Sequence, residues 1–201
     1  MVNETSKLLI YLVSNKDTQI TIREISLSLN IPYMTLSRLI KKLSKQKLIT
    51  IEKKGNNYLC KINLKYPLLK HYLIIASEEI TQGYLYQQPI ISIIHKTILK
   101  YASKNNVALL FGSYAKNKPE KHSDIDLAVI SKNKKSLEKL KKELSYLEKL
   151  YDKEINILIF TPNQFKEMLN TTEENVGKQI LKNHLILYNP ELFWEVALNG
   201  I

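Results

Sequence analysis

"LLFGSYAKNKPEKHSDIDLAVI", residues 109–130, decides how this chain is read. An apolar run ends in Gly112-Ser113, ten residues separate Ser113 from Asp124, and a second apolar run opens with Asp124 and Asp126. Length and composition predict a buried strand over 107–111. A Gly-Ser turn into a short helix near Tyr114 then leaves backbone amides pointing outward, where phosphate oxygens are their natural ligand. In the next strand, 125–130, successive side chains alternate, so Asp124 and Asp126 fall on one face. Two carboxylates so close repel unless a cation lies between them, and hard oxygen ligands suit Mg²⁺, which also takes phosphate oxygens. Either feature alone is common by chance. Joined at this spacing, with a strand before each, they predict a phosphate-cradling turn beside a divalent-metal clamp.

The residues around this stretch supply the rest of an α+β domain. "PIISIIHKTILKYAS" opens it as a helix, and "SKNKKSLEKLKKEL" reads as an amphipathic helix burying Leu137, Leu140, Leu144 and Leu147. "KEINILIF" is a strand, "TPNQF" offers a capping box of Thr161 with Gln164, and "LILY" at 185–188 is a short strand before a final helix, "ELFWEVAL".

The segment from about residue 90 to 190 resembles the nucleotidyltransferase superfamily typified by DNA polymerase β. It is most similar to the minimal prokaryotic members, whose signature is Gly-Ser, ten residues, Asp-x-Asp. The resemblance implies a mixed β-sheet flanked by helices, with Gly112 and Ser113 binding the triphosphate of ATP or another nucleotide. It also implies that Asp124 and Asp126 hold two Mg²⁺ ions for in-line displacement at the α-phosphate. Lys116, with Lys118, Lys121 and His122 in the same loop, is placed to neutralise phosphate. The family's third carboxylate comes from a later strand, and the matching position here, between Ile155 and Ile157, is Asn156. An amide can ligate a metal weakly but cannot act as a base. Glu154, two residues earlier, shares that face and substitutes as the catalytic carboxylate if the strand is shifted.

The chain before this domain differs in charge. Residues 1–65 hold 12 Lys and Arg against 4 Asp and Glu, a net of +8, which leaves +3 of the total +11 for the other 136 residues. That asymmetry predicts that the first segment meets a polyanion. It contains a helix over 5–15, then a second helix announced by Thr21 and Glu24 as a capping box. A third, "YMTLSRLIKKLSKQ", follows Pro32 and carries Leu36, Leu39, Ile40 and Leu43 on one side. Its opposite side carries Met34, Arg38, Lys41, Lys42 and Lys45. Alternating residues on either side of Gly55-Asn56-Asn57 predict a β-hairpin with Lys53 and Lys54 at its tip.

These pieces resemble the winged helix-turn-helix domain of many archaeal and bacterial regulators, over about a third of the chain. The resemblance implies double-stranded DNA as partner. Tyr33, Met34, Thr35, Ser37 and Arg38 then lie nearest base edges, Lys41, Lys42 and Lys45 lie toward phosphates, and Lys53 and Lys54 touch the flanking backbone. Arg23 and Arg38 are the chain's two arginines. Bidentate guanine contacts mostly use Arg, so phosphate binding is expected to outweigh base readout. Winged-helix proteins pair on two half-sites, which makes a homodimer a further expectation.

The expected organisation is a winged helix-turn-helix domain at 1–66, a connector helix and linker at 67–88, and a nucleotidyltransferase domain with a C-terminal helix at 89–201. No apolar run is long enough to span a membrane, no signal-peptide pattern opens the chain, and Cys60 stands alone, which together predict a cytoplasmic protein without membrane or disulfide. Two functions stay open. One is a Mg²⁺-dependent transferase of a nucleoside monophosphate, AMP first among them, to an acceptor such as a protein hydroxyl on a HEPN-type toxin partner, in the manner of minimal-nucleotidyltransferase antitoxins. The other is a DNA-binding regulator whose second domain senses nucleotide without turning it over, the reading that Asn156 favours.

Overall fold

The computed structural model describes residues 2–55 and 57–200, with the side chains of all of these except Lys134 and Ser136. The chain divides into two compact units, Met1–Ile80 and Thr81–Ile201.

The first unit holds α1 (Glu4–Ser14), β1 (Ile20–Thr21), α2 (Ile22–Leu29), α3 (Tyr33–Lys45), β2 (Ile49–Lys54) and β3 (Asn57–Ile62). Asn3 caps α1 by accepting the Thr5 amide. Thr21 and Glu24 cap α2 reciprocally, as their spacing predicts, and α2 ends on Asn30 in the left-handed region at φ 51°. Pro32 precedes α3 by one residue, outside the helix rather than in its first turn. The helices close on one another through Leu8, Leu9, Leu12, Val13, Ile25, Leu36, Ile40 and Leu43, all buried. Each such side chain contributes roughly 1.5–3 kcal/mol relative to leaving it in water, offset by chain ordering. Leu39, expected on the apolar face of α3, stays partly exposed, as does Leu29 on α2. The strands form an antiparallel sheet in the order β1-β3-β2, with Ile49 opposite Ile62 and Lys54 opposite Asn57. Gly55 turns the hairpin at φ +60°; Asn56, the expected middle of that turn, lies outside the described residues. Cys60 is buried on β3, and desolvation pushes its thiol up to about 11.

Helix α4 (Leu69–Leu85) runs across the division between the units and takes up most of the expected connector and linker at 67–88, continuing through Gly83. Tyr84 and Leu85 explain the extra length, since both are buried in the second unit. There Thr81 Oγ1 donates to the Ile186 carbonyl at 3.2 Å and the Tyr84 hydroxyl to the Tyr114 carbonyl at 2.6 Å.

The second unit continues with α5 (Pro89–Tyr101), β4 (Asn106–Phe111), α6 (Gly112–Ala115), β5 (Ile125–Ser131), a 3₁₀ turn (Lys134–Leu137) and α7 (Glu138–Tyr151). It closes with β6 (Ile155–Phe160), α8 (Pro162–Asn170), α9 (Val176–Lys182), β7 (Leu185–Tyr188) and α10 (Pro190–Leu198). Its sheet is mixed, in the order β6-β5-β4-β7, with β5 and β6 parallel and the other pairs antiparallel. A parallel pair needs a crossover, which α7 supplies. Residues 106–110 and 127–131 are all buried although their side chains alternate, so helices cover both faces of the central strands. Helices α5 and α7 pack on each other and on the edge strands β7 and β6, while α8 and α10 pack on each other and over β4 to β7. The unit is thus an α+β fold with a mixed sheet flanked by helices.

Within this core Phe165, Phe193 and Trp194 are fully buried and His184 lies 4.8 Å from the Phe193 ring centre. The His184 Nδ1 lies 3.0 Å from the Ile180 carbonyl. The imidazole keeps some exposed edge, yet desolvation among these rings pushes its pKa down to about 4. It is a neutral packing residue. Among the described residues no helix is long and apolar enough to cross a membrane.

Candidate active site and basic surface

The site forms where β4 leaves the sheet. Phe111 pairs with Asp126, and Asp126 pairs in turn with Asn156, so three adjacent strands bring one row of residues to the point where Gly112 begins α6. Gly112 has φ +72°, a conformation that L side chains rarely adopt. A Cβ placed there would stand 2.0 Å from Asp126 Oδ2. The Asp126 carboxylate therefore occupies the space a side chain would take, and only glycine permits that approach.

Helix α6 is a single turn, starting at Gly112 itself rather than near Tyr114. The Lys118 amide donates back to the Ser113 carbonyl at 3.1 Å, and the buried Tyr84 hydroxyl braces the turn from beneath through the Tyr114 carbonyl. Burial, and secondarily Tyr114, push the Tyr84 phenol up to about 12, so it remains a donor at any physiological pH. Sequence reasoning took Tyr84 for part of a linker, because nothing local tells that α4 carries it into the second unit's core.

Asp124 is exposed just before β5 and Asp126 is partly buried within it. Burial raises the Asp126 carboxyl above its ordinary value, the neighbouring Asp124 charge raises it further, and a hydrogen bond from Asn156 works the other way. The Asn156 Nδ2 also donates to Asp124 Oδ2 at 3.5 Å, a long contact. Glu154 stands exposed at the leading end of β6, where its carbonyl accepts the Ile125 amide at 2.9 Å. Among the described residues no three Asp, Glu, His or Cys side chains gather closely enough to hold a metal, so Glu154 is not grouped with the two aspartates. The two carboxylates are hard oxygen donors that suit Mg²⁺, whereas Asn156 turns its Nδ2 toward them, so its carboxamide oxygen joins the set only if the amide rotates.

A cleft of about 310 Å³ opens beside this row, lined by Phe111, Gly112, Lys116, Asp126, Gln179, Lys182 and Asn183. Of the loop cations Lys116, Lys118, Lys121 and His122, Lys116 alone lines it among the described residues. The loop is held from β6's side by Lys153, whose ammonium donates to the Lys121 carbonyl at 2.6 Å. Gln179, Lys182 and Asn183 escape sequence reasoning because they lie more than fifty residues after the motif.

In the first unit Tyr33, Met34, Thr35, Arg38, Lys41, Lys42, Lys45, Lys53 and Lys54 are all exposed, and Ser37 is partly so. Met34 is 63% exposed and Tyr33 47%, high for large apolar groups in a small unit. Between α2, the start of α3 and β3 lies a groove of about 490 Å³ that includes Arg23, Ser26, Tyr33 and Tyr58.

Residues 95–191 match the family model described as polymerase beta, nucleotidyltransferase, a match over just under half of the chain that lies wholly in the second unit. The match supports the nucleotidyltransferase superfamily for this unit and, in general terms, nucleotidyl transfer. No curated protein and no solved structure matches the chain.

Proposed function

We propose that this protein transfers a nucleoside monophosphate, AMP in the simplest case, from a nucleoside triphosphate to an acceptor hydroxyl. The observation that carries the proposal is the seating of Asp126 over Gly112, beside Asp124 and Asn156, at the mouth of a cleft. In this reading Gly112 and Ser113 lie against the triphosphate and Lys116 offsets its charge. Asp124, Asp126 and Asn156 are the residues that would hold Mg²⁺. Bound there, Mg²⁺ supplies charge neutralisation on the phosphate oxygens and lowers the barrier to displacement. The acceptor oxygen forms a bond to the α-phosphorus, the bond to pyrophosphate breaks, and the hydroxyl proton leaves. Asn156 has no basic oxygen, and the register that sets Asn156 opposite Asp126 leaves Glu154 outside the cluster. That proton therefore passes to solvent, with Glu154 at the head of the same strand as the nearest carboxylate on β6's side to relay it.

The first unit is in our reading a winged helix-turn-helix that binds double-stranded DNA through α3 and the β2–β3 hairpin. Its exposed cations support this, and Lys41, Lys42, Lys45, Lys53 and Lys54 act mainly on phosphates. A protein hydroxyl, such as one on a HEPN-type toxin, is the acceptor this reading favours.

A second reading is favoured by a specific observation, the amide at Asn156 and the lack of a third grouped carboxylate among the described residues. It makes the second unit a nucleotide sensor and the protein a DNA-binding regulator. Incubation with α-labelled ATP and Mg²⁺, with and without cell lysate, separates the two. Label transfer that disappears in Asp124→Ala and Asp126→Ala supports the transferase; tight binding without transfer supports the sensor; neither outcome would remove both.

A further inference from the structure

The cleft has a wall outside the Gly-Ser and Asp-x-Asp segment. Gln179, Lys182 and Asn183, at the end of α9, are all exposed and stand at i, i+3 and i+4, which places them on one side of the chain's path. Buried Ile180 and Leu181 hold the opposite side in the core and so turn these three outward. One ammonium and two carboxamides thereby share a cleft with Lys116, Gly112 and Asp126. We infer that this wall is the second contact surface for a nucleoside triphosphate: Lys182 joins Lys116 on the polyphosphate, and Gln179 and Asn183 hydrogen-bond the sugar and base. The inference rests on the nucleotidyltransferase reading of Gly112 and Asp126, and adds the part of the site that tells a nucleotide from bare triphosphate.

Lys182 already has an anion. Its ammonium lies 3.1 Å from both carboxylate oxygens of Glu174. Both side chains are about half exposed, at 47% and 53%, and a pair so solvated is worth at most about 1 kcal/mol. A polyphosphate brings more charge and several acceptor oxygens, so it displaces Glu174 by simple competition. Glu174 is then a resident counter-ion that pairs with Lys182 and sets a small cost on nucleotide entry. The carboxamides differ in kind. Each offers both donor and acceptor, which matches ribose hydroxyls and the edge of a heterocyclic base but gains little from triphosphate alone.

Calorimetric titration of the full chain with Mg-ATP and, separately, with inorganic triphosphate and Mg²⁺ tests this. Lys182→Ala is expected to weaken both ligands roughly tenfold, with Lys182→Arg restoring most of the loss. Gln179→Ala and Asn183→Ala are expected to weaken ATP by roughly threefold each and to leave triphosphate unchanged. Glu174→Gln is expected to tighten both ligands by roughly threefold, a gain that structural damage does not produce. If the wild type binds Mg-ATP, Asp126→Asn abolishes it, and the Lys182 and Glu174 variants match the wild type, the α9 wall is not used and the inference falls while the transferase reading stands. If the wild type binds neither ligand, both fall together.

Discussion

The two units handle charge in opposite ways. In the first, cations stand on exposed faces of α3 and the hairpin, over a core of Leu, Ile and Val that needs none of them. In the second, the charges of interest sit at the ends of buried strands, one carboxylate pressed into the space of a missing Cβ. A surface that attracts a polyanion works through charge density and tolerates displacement of any one group. A site that aligns a phosphate for displacement depends on particular atoms held within a fraction of an ångström. Substitutions should therefore act gradually in the first unit and steeply in the second.

Gly112→Ala is the harshest test of that contrast. It forces a residue with a side chain to adopt φ +72° and drives a methyl group to 2.0 Å from Asp126 Oδ2. Backbone strain of this kind costs about 1–3 kcal/mol, and relief requires moving the carboxylate. Mg-ATP affinity measured by calorimetry is expected to fall about 100-fold or more, while DNA affinity of the same variant stays at the wild-type value. Retained nucleotide binding would mean that the approach of Asp126 to Gly112 has no part in the site.

Acid should likewise strike the second unit first. His184 has an ordinary value of 6.5 and a folded value of about 4, so the unfolded chain takes up its proton first as pH falls. Stability is fully present above 6.5, and its loss develops between 6.5 and about 4. The shift corresponds to roughly 3 kcal/mol at most. His95, also lowered by burial, acts in the same direction. Trp194, the chain's single tryptophan, lies 5.8 Å from His184 and reports on this core. Its fluorescence midpoint in urea is expected to drop between pH 7 and pH 5, and His184→Gln to flatten that drop. An unchanged midpoint would place the ring in a wetter setting than its neighbours imply.

The first unit should lose function in increments. Lys41→Ala combined with Lys42→Ala removes two exposed cations from α3 without touching Leu36, Ile40 or Leu43. If both meet phosphates, the slope of log affinity for duplex DNA against log salt falls by about 1 for each. Far-ultraviolet dichroism should show an unaltered helix. A slope unchanged from the wild type would leave these lysines as solvated surface charges.

How much of this was legible in the sequence follows the same division. Local signals were readable: both capping boxes, the apolar stripe Leu36, Ile40 and Leu43, and the strands that bracket Gly112 and Asp126. Period-two alternation located Asp126 within β5, while Asp124 lies just ahead of that strand and is tied to the site through the Asn156 amide. What escaped depends on contacts between distant segments. Tyr84 reads as linker until α4 is seen to deliver it under α6. Lys182 and its neighbours read as the polar end of a helix until the fold brings α9 to the cleft. Gly83 lies in the expected linker, but burial of the residues after it outweighs the roughly 1 kcal/mol that glycine costs a helix, and α4 continues through it.

The smallest expected effect is a null one, and it tests whether the two units answer separately. Cys60 is buried in the first unit with its thiol near 11, so at pH 8 it reacts with a disulfide reagent only when that unit opens. Trp194 follows the second unit. A ligand stabilises whatever unfolds together with its site, by an amount set by concentration over dissociation constant, and leaves an independent unit alone. Saturating Mg-ATP should raise the Trp194 melting midpoint and leave the Cys60 labelling rate as it was. A slower Cys60 reaction in the same sample would mean that α4, continuous across the division, transmits nucleotide binding to the basic unit, and the contrast between a graded surface and a steep site would have to be redrawn as one coupled system.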